Sequence, residues 1–325
     1  EIDAISVAAV ALSGRVLSLH RRQLPDAPAA RTAVVRITEL VDELRTVLPF
    51  GTIEAGLGVA VPGQVEDANG VVTESLPLHW ANVNLASELN GRLGIPVFVD
   101  NDARLSLRSA QRRGIARSEQ NIVYLHGRAS GISGAIVADG ELLRGRSGLA
   151  GAVGLIRVHS DRLGSLHEHP GTLDALVRRD ELVEALGAPE ASDDELRTLL
   201  AAPLRGRPAR VVREQTSWLA SGLATIVNLF NPDAIVLDGF LVALFESRMN
   251  DVLEQCASES VARSFETVRF VCEPSAHPSE ILGAAELPLQ AVIADPLALT
   301  RMGRPLLHAV PSEGGNSSQS ASASA

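Results

Sequence analysis

The stretch Val97-Phe98-Val99-Asp100-Asn101-Asp102-Ala103-Arg104 decides how the chain is read. An apolar run over residues 95–99 enters it, and a helical pattern carried by Leu105, Leu107 and Ala110 leaves it toward Gly114. Asn101 and Asp102 then stand at the carboxyl end of a buried strand and the amino end of a helix, the place where open α/β sheets receive ligands. An Asn-Asp pair there can accept hydrogen bonds from ligand hydroxyls, and a carboxylate in such a crevice can act as a general base. Asp is also a favoured N-cap, so a structural role for Asp102 stands beside the chemical one.

Upstream of this stretch, residues 5–11 and 15–23 alternate as two strands around Ser13-Gly14, a hairpin. A helix with apolar positions Val34, Ile37, Leu40, Val41, Leu44 and Leu48 follows and stops at Pro49. Residues 53–61 form a buried strand ending in Pro62-Gly63, whose turn offers backbone amides to a crevice. Asn69-Gly70 marks a hairpin over residues 64–75. A loop over residues 76–84 carries His79-Trp80, which can stack on a ligand ring or, for Trp80, plug a core. A helix then runs to Leu93, with Gly94 closing it.

Downstream, the plan starts again. Residues 121–126 and 135–138 are strands around a glycine-bearing turn at 127–134, and residues 153–158 are a further strand. A helix opens at Thr172, and Ser192-Asp193-Asp194-Glu195 is a capping box. A long helix spans 210–230, a strand 234–238, then one more helix and a strand at 268–272. The last helix begins near Ser279 and should kink or break at Pro288. The Ser, Gly and Ala tail from 311 to 325 has too little to bury to fold, and disorder is expected. The second opening hairpin resembles the first in layout, which suggests duplicated α/β halves facing a cleft.

Composition excludes several classes. A chain of 325 residues can build two lobes with cores, and 46% hydrophobic content with only 3% aromatic makes those cores aliphatic. A net charge of −10 disfavours a polyanion, so these residues do not grip DNA by themselves. All 29 basic residues are Arg, which removes Schiff-base chemistry. Cys256 and Cys272 sit in apolar contexts without metal-ligand spacing, as in a reduced, cytoplasmic protein. No run is long enough to span a membrane and no signal peptide is visible. The first residue is not Met and already lies in a strand pattern, so further chain is expected ahead of it.

Three chemical constellations compete. Gly127-Arg128-Ala129-Ser130-Gly131-Ile132-Ser133-Gly134 could cradle phosphates, but hairpin turns need Gly for steric reasons alone, and residues 1–12 contain none. His159, His167 and His169 could hold zinc, although a His-bearing surface loop is usually just solvated, and no metal is assigned. The Arg groups at 112–113, 144–146 and 205–213 lack interleaved aromatics and belong to solvated faces.

The order of pieces resembles the ROK family of repressors, open reading frames and sugar kinases. The segments that carry it are Leu12-Ser13-Gly14-Arg15-Val16-Leu17, Gly58-Val59-Ala60-Val61-Pro62-Gly63, Val99-Asp100-Asn101-Asp102-Ala103, Ser130-Gly131-Ile132-Ser133-Gly134-Ala135-Ile136-Val137, Gly148-Leu149-Ala150-Gly151-Ala152-Val153-Gly154, Asn228-Leu229-Phe230-Asn231-Pro232-Asp233-Ala234-Ile235-Val236-Leu237 and Leu282-Gly283-Ala284-Ala285. The resemblance implies a duplicated actin-like, ribonuclease-H-like α/β fold. Its expected division is a small lobe of residues 1–102 and 279–296 and a large lobe of residues 103–278 around a central cleft. It implies a sugar site at Asn101 and Asp102, joined by Asp174 where the family has Glu, with His79 and Gly63 added from their loops.

The departures point away from catalysis. The family's kinases carry an Asp-Gly-Gly-Thr-type phosphate motif where this chain has Glu1-Ile2-Asp3-Ala4-Ile5-Ser6. The Glu and His of its sugar and zinc motif are Ala152 and Leu155, its sugar-binding Asn is Pro77, and its zinc Cys positions are Ser165, His167 and Thr172. At the adenine position Asp238 and Phe240 would crowd a nucleotide. The expectation is a non-catalytic, sugar-sensing, dimerising region of a ROK-type transcriptional regulator, with no cofactor, and with DNA bound only through a missing N-terminal helix-turn-helix. Ligand closure of the lobes would hinge at residues 103–109 and at the crossing into the last helix. The alternative is an ATP-dependent sugar kinase with Asp102 as base and magnesium on the phosphates. A scaffold that has lost sugar binding is the third reading.

Overall fold

A computed structural model describes residues 2, 4–66, 69–113, 115–146, 148–159, 169–273 and 279–297. The tail at 311–325 lies outside them. The chain opens with the antiparallel hairpin β1 (Ala4–Val10) and β2 (Val16–Gln23). Helix α1 (Ala30–Val47) follows and buries Val34, Ile37, Leu40, Val41 and Leu44 at helical spacing, ending ahead of Pro49. Strand β3 (Leu57–Val61) then pairs in parallel with β7 (Val97–Asn101). Between them lie a meander of β4 (Gln64–Glu66), β5 (Val71–Ser75) and β6 (Trp80–Val83), and helix α2 (Leu85–Leu93). Gly94 closes α2 in the left-handed conformation, at φ 67°, returning its N–H to Asn90 O.

Helix α3 (Asp102–Arg112) leaves β7 and leads to a mixed sheet of order β10-β9-β8-β11-β12. Its strands are β8 (Ile122–Arg128), β9 (Gly131–Ala138), β10 (Glu141–Leu142), β11 (Ala234–Gly239) and β12 (Arg269–Cys272). β8, β11 and β12 run parallel, so their carboxyl ends share one edge. Its cover consists of α4 (Leu173–Leu176), α5 (Arg179–Ala185), α6 (Asp193–Ala201), α7 (Gly206–Phe230), α8 (Phe240–Ser247), α9 (Met249–Glu259) and α10 (Ala262–Thr267). The core between sheet and helices is aliphatic with Phe240 and Phe245. Helix α11 (Ser279–Ala294) closes the order, packed against α3 and β3.

Four expectations change. The segment at 76–84 is not all loop, because β6 pairs with β5. Residues 153–158 are not a strand: Val153–Leu155 is a 3-10 turn, and only Arg157 bridges, to Thr172. Three helices, not one, separate β11 from β12. Of the kink or break expected at Pro288 there is no break: helix α11 runs through it, with the proline buried.

One strand pairing stands open. β1 bonds only β2 and β3 bonds only β7, so the hairpin and the β3–β7 pair are separate two-stranded sheets. Four of the five β3 residues are therefore half-buried, where the apolar run predicts full burial.

Candidate functional site

The carboxyl ends of β3, β7, β8 and β11 place the polar groups of interest. At the end of β7, Asn101 is the cap of α3: its Oδ1 accepts from Arg104 N at 3.2 Å. Its Nδ2 donates to Gly63 O at 2.9 Å, tying this helix start to the turn after β3. The capping reading thus has the right place and the neighbouring residue, because Asn101 is still extended at ψ 140° while Asp102 is already helical. Gly63 fits only as glycine, since an added Cβ would lie 2.7 Å from Glu74 O.

Asp102 is freed from capping. Its Oδ1 accepts from Ala103 N at 2.8 Å and from Ser133 Oγ at 3.2 Å. Oδ2 has no protein partner among the described residues. The side chain is buried, and burial raises its pKa against the pull of nearby His126. One turn on, Arg104 donates to Asp100 at 3.0 Å, so the charge preceding the pair is already neutralised.

A second cluster faces this one from β8 and β11. Tyr124, His126 and Arg128 alternate along β8, on one face of the strand. His126 Nδ1 bonds Asp238 Oδ2 at 2.7 Å, and Tyr124 Oη donates to the same oxygen at 2.9 Å. Arg128 Nη2 donates to Asp238 at 3.2 Å and to Glu280, at the start of α11, at 3.1 Å. Burial opposes ionisation of Asp238, but Arg128 and His126 outweigh it and hold the carboxyl well below its ordinary range. Burial likewise opposes the Arg128 charge and is overcome by Asp238 and Glu280. Deeper in, burial and then Asp238 raise the pKa of Glu273, which bonds Tyr124, Arg113 and Ser279.

Asn101, Asp102 and Gly63 therefore come together, Ser133 bonds Asp102, and His126, Arg128 and Glu280 line one opening with Asp102. Asp174 sits on α4 with Oδ1 accepting from Ile132 N at 2.7 Å, pressed on Gly131, where an added Cβ would lie 2.3 Å away. His79 is exposed at φ 54°. Trp80 turns inward instead and donates from Nε1 to Pro28 O at 2.9 Å, a core plug.

The supposed phosphate cradle is mostly strand. Gly127 lies in β8, and Gly131 and Gly134 lie in β9, leaving Ala129-Ser130 as the turn. Gly127 is packed by Leu241 and Phe240, and Gly134 by Val153, so close approach of side chains accounts for both. Phe240 is buried in the core and does not crowd the opening; Arg128 does. Of the histidines, His159 packs against Trp218 with the rings tilted and their centroids 4.5 Å apart, and His167 and Ser165 lie outside the described residues. Thr172 caps α4, and Leu155 is exposed. Among the described residues no three His, Cys, Asp or Glu side chains cluster as a metal site. No helix among them is long and apolar enough to cross a membrane.

Sequence reasoning missed His126, Arg128 and Glu280, and it read Asp238 only as an obstacle to a nucleotide. The signal was present: polar residues two apart at the end of an otherwise apolar strand share a face and cannot all be core.

Polar groups gathered at the carboxyl ends of parallel strands stand where open α/β sheets receive ligands. The model of the ROK family matches residues 2–291, and the chain belongs to that family. A glucokinase of Thermotoga maritima is 28% identical over 302 residues, covering 87% of this chain and 93% of the enzyme. A xylose repressor of Caldicellulosiruptor bescii is also 28% identical, over 219 residues that cover 62% of this chain and 54% of the repressor. Among solved structures, a ROK family transcriptional regulator homologous to the E. coli MLC protein superposes with a TM-score of 0.72 at 21% identity, covering 92% of this chain and 78% of that one. A ROK family glucokinase from Streptomyces griseus, solved with glucose and AMPPNP, gives 0.68 at 22%, covering 89% and 96%. Regulators and kinases thus stand side by side as relatives.

Proposed function

We propose that this chain is the ligand-sensing and dimerisation region of a ROK-type transcriptional regulator that answers to a sugar or sugar derivative. Arg128 carries the reading. At the strand ends where a nucleotide's phosphates would approach, the guanidinium is spent on Asp238 and Glu280. Both carboxyls are held ionised and would repel a triphosphate. The sugar side is better preserved, with Asp102 keeping Oδ2 for a hydroxyl and Asn101 and Gly63 fixing the turn beside it. Asp174 and His79 are assigned supporting roles at the ligand's rim.

The reading takes the fold as a duplicated, actin-like pair of lobes, residues 1–102 with 279–296 and residues 103–278. The strand orders support it, because hairpin β8–β9 followed by β11 and β12 repeats the succession β1–β2, β3, β7. Closure of the lobes on a ligand, hinged at 103–109 and at the start of α11, would alter the spacing of paired DNA-binding heads. DNA contact belongs to a separate helix-turn-helix segment, in keeping with the net charge of −10 here.

One observation favours the kinase reading: burial lifts the pKa of Asp102, as suits a general base. A coupled assay with magnesium and ATP over glucose, xylose, mannose and N-acetylmannosamine, run with a thermal-shift screen of the same sugars, separates the two. The expected result is no turnover and a melting shift from at least one sugar, lost in Asp102→Asn. Turnover that disappears in Asp102→Asn overturns the proposal in favour of the kinase.

A further inference from the structure

The unpaired strands enclose a cavity of about 550 Å³, within the usual range of small-ligand pockets. Every residue of β1 and every residue of β3 lines it. A strand that offered one face would contribute alternate residues, so both strands present their edges to the space. Helices α1 and α11 supply apolar walls, through residues such as Ile37, Leu44, Ala285 and Leu289, and Trp80 lies along it.

One end is different. Asp102, His126, Arg128, Ser130 and Glu280 line that end. Asp102 is 6% and His126 1% exposed, yet each keeps one polar atom, Oδ2 and Nε2, without a protein partner among the described residues. Two polar atoms that open onto the cavity without a protein partner, at the mouth of an apolar slot, are placed to meet a ligand's polar head.

We infer that the slot between β1 and β3 takes the apolar aglycone of a glycoside whose sugar hydroxyls meet Asp102. The inference rests on the sugar-sensing reading above and narrows it from free sugars to alkyl or aryl glycosides. The chemistry divides along the cavity: hydroxyls at the charged end, hydrocarbon between the strand edges. This sheet is split between β1 and β3, while the same succession of strands in the second sheet is joined at β8–β11. Direct pairing of β1 with β3 would erase the place of an aglycone.

The test is calorimetric titration of the whole chain with methyl and hexyl β-D-glucosides and the matching xylosides. Each methylene moved from water into an apolar slot tightens binding about fourfold, so the hexyl glycoside of the recognised sugar should bind at least about tenfold tighter than the methyl one. Ala285→Phe fills the slot and should bring that ratio to about one; Ala285→Leu, a smaller addition, should lower it part of the way. Equal affinity of methyl and hexyl glycosides for the native chain overturns the slot and leaves the sugar sensor intact. Absence of binding by every glycoside, with kinase turnover in the assay above, overturns both. Amide exchange in residues 4–10 and 57–61 of the ligand-free chain as slow as in β8 and β11 means that the edges pair directly, and it also overturns the slot.

Discussion

Arg128 and Asp238 meet at 3.2 Å at the carboxyl ends of adjacent parallel strands, and Glu280 takes the same guanidinium nitrogen at 3.1 Å. One cation thus joins β8, β11 and the first turn of α11. The pair is buried, so removing one partner leaves uncompensated charge in a poorly solvated place. Arg128→Gln should cost about 3 kcal/mol or more in urea unfolding, and adding Glu280→Gln should restore part of it. A loss no larger than that of an exposed arginine would show that the cation does not hold these elements.

Asp102→Asn should separate stability from binding. Burial holds the folded-state pKa of Asp102 above the ordinary aspartate range, so ionisation costs the fold stability as pH rises through the folded value. The amide keeps an acceptor for Ala103 N and Ser133 Oγ and carries no charge. At neutral pH the variant should melt at or above the native temperature, with the difference shrinking as pH falls toward about 4. Its affinity for the recognised sugar should drop at least about tenfold, since hydrogen bonds to a charged group are among the stronger ones. A variant that melts lower and binds unchanged would contradict both halves.

How much of this was legible in the sequence follows from the range of the forces involved. Local rules work where the causes are local: Gly94 ends α2, the capping box at Ser192 forms with both of its bonds, and α1 and β7 lie where their apolar spacing puts them. They fail where a distant partner decides. The pairing of β6 with β5 makes a strand of a segment rich in loop formers, and a single bridge to Thr172 is all that survives of the strand expected at 153–158. Asn101, Asp102 and Gly63 were found because strand ends and turns mark themselves. Glu280 was not, because 152 residues separate it from Arg128 and no spacing rule reaches that far, whereas His126 and Arg128 were passed over although their two-residue spacing puts them on one face of β8. The open joint between β1 and β3 leaves no trace in either strand's own pattern.

Gly58 tests the seat of α11. An added Cβ there would lie 1.8 Å from the carbonyl oxygen of Ala284. Four residues on, Pro288 has no N–H to occupy that oxygen, so β3 and α11 are free to approach this closely. Gly58→Ala should therefore cost about 2 kcal/mol or more, the range of a core forced apart. Gly91, exposed in α2 with nothing near an added Cβ, is the control: Gly91→Ala should stabilise by about 0.5–1 kcal/mol through helix propensity. Equal effects of the two substitutions would mean that α11 does not rest on β3 as described.

His126 makes stability depend on pH near neutrality. Burial and Arg128 disfavour its protonation, but the bonded carboxylate of Asp238 and the charge of Asp102 outweigh them and raise its pKa above the ordinary histidine range. A group with a raised folded pKa contributes stability that is fully present below the unfolded value and is lost as pH rises through the folded one. The groups around it do not reverse this, since Asp238 is held ionised and Arg128 stays charged across the window. The melting temperature of the native chain should then exceed that of His126→Gln most at about pH 6, with the margin narrowing toward about pH 8. A margin that is constant over that range would mean that the buried imidazole is neutral in the fold, bonded to Asp238 through Nδ1–H alone.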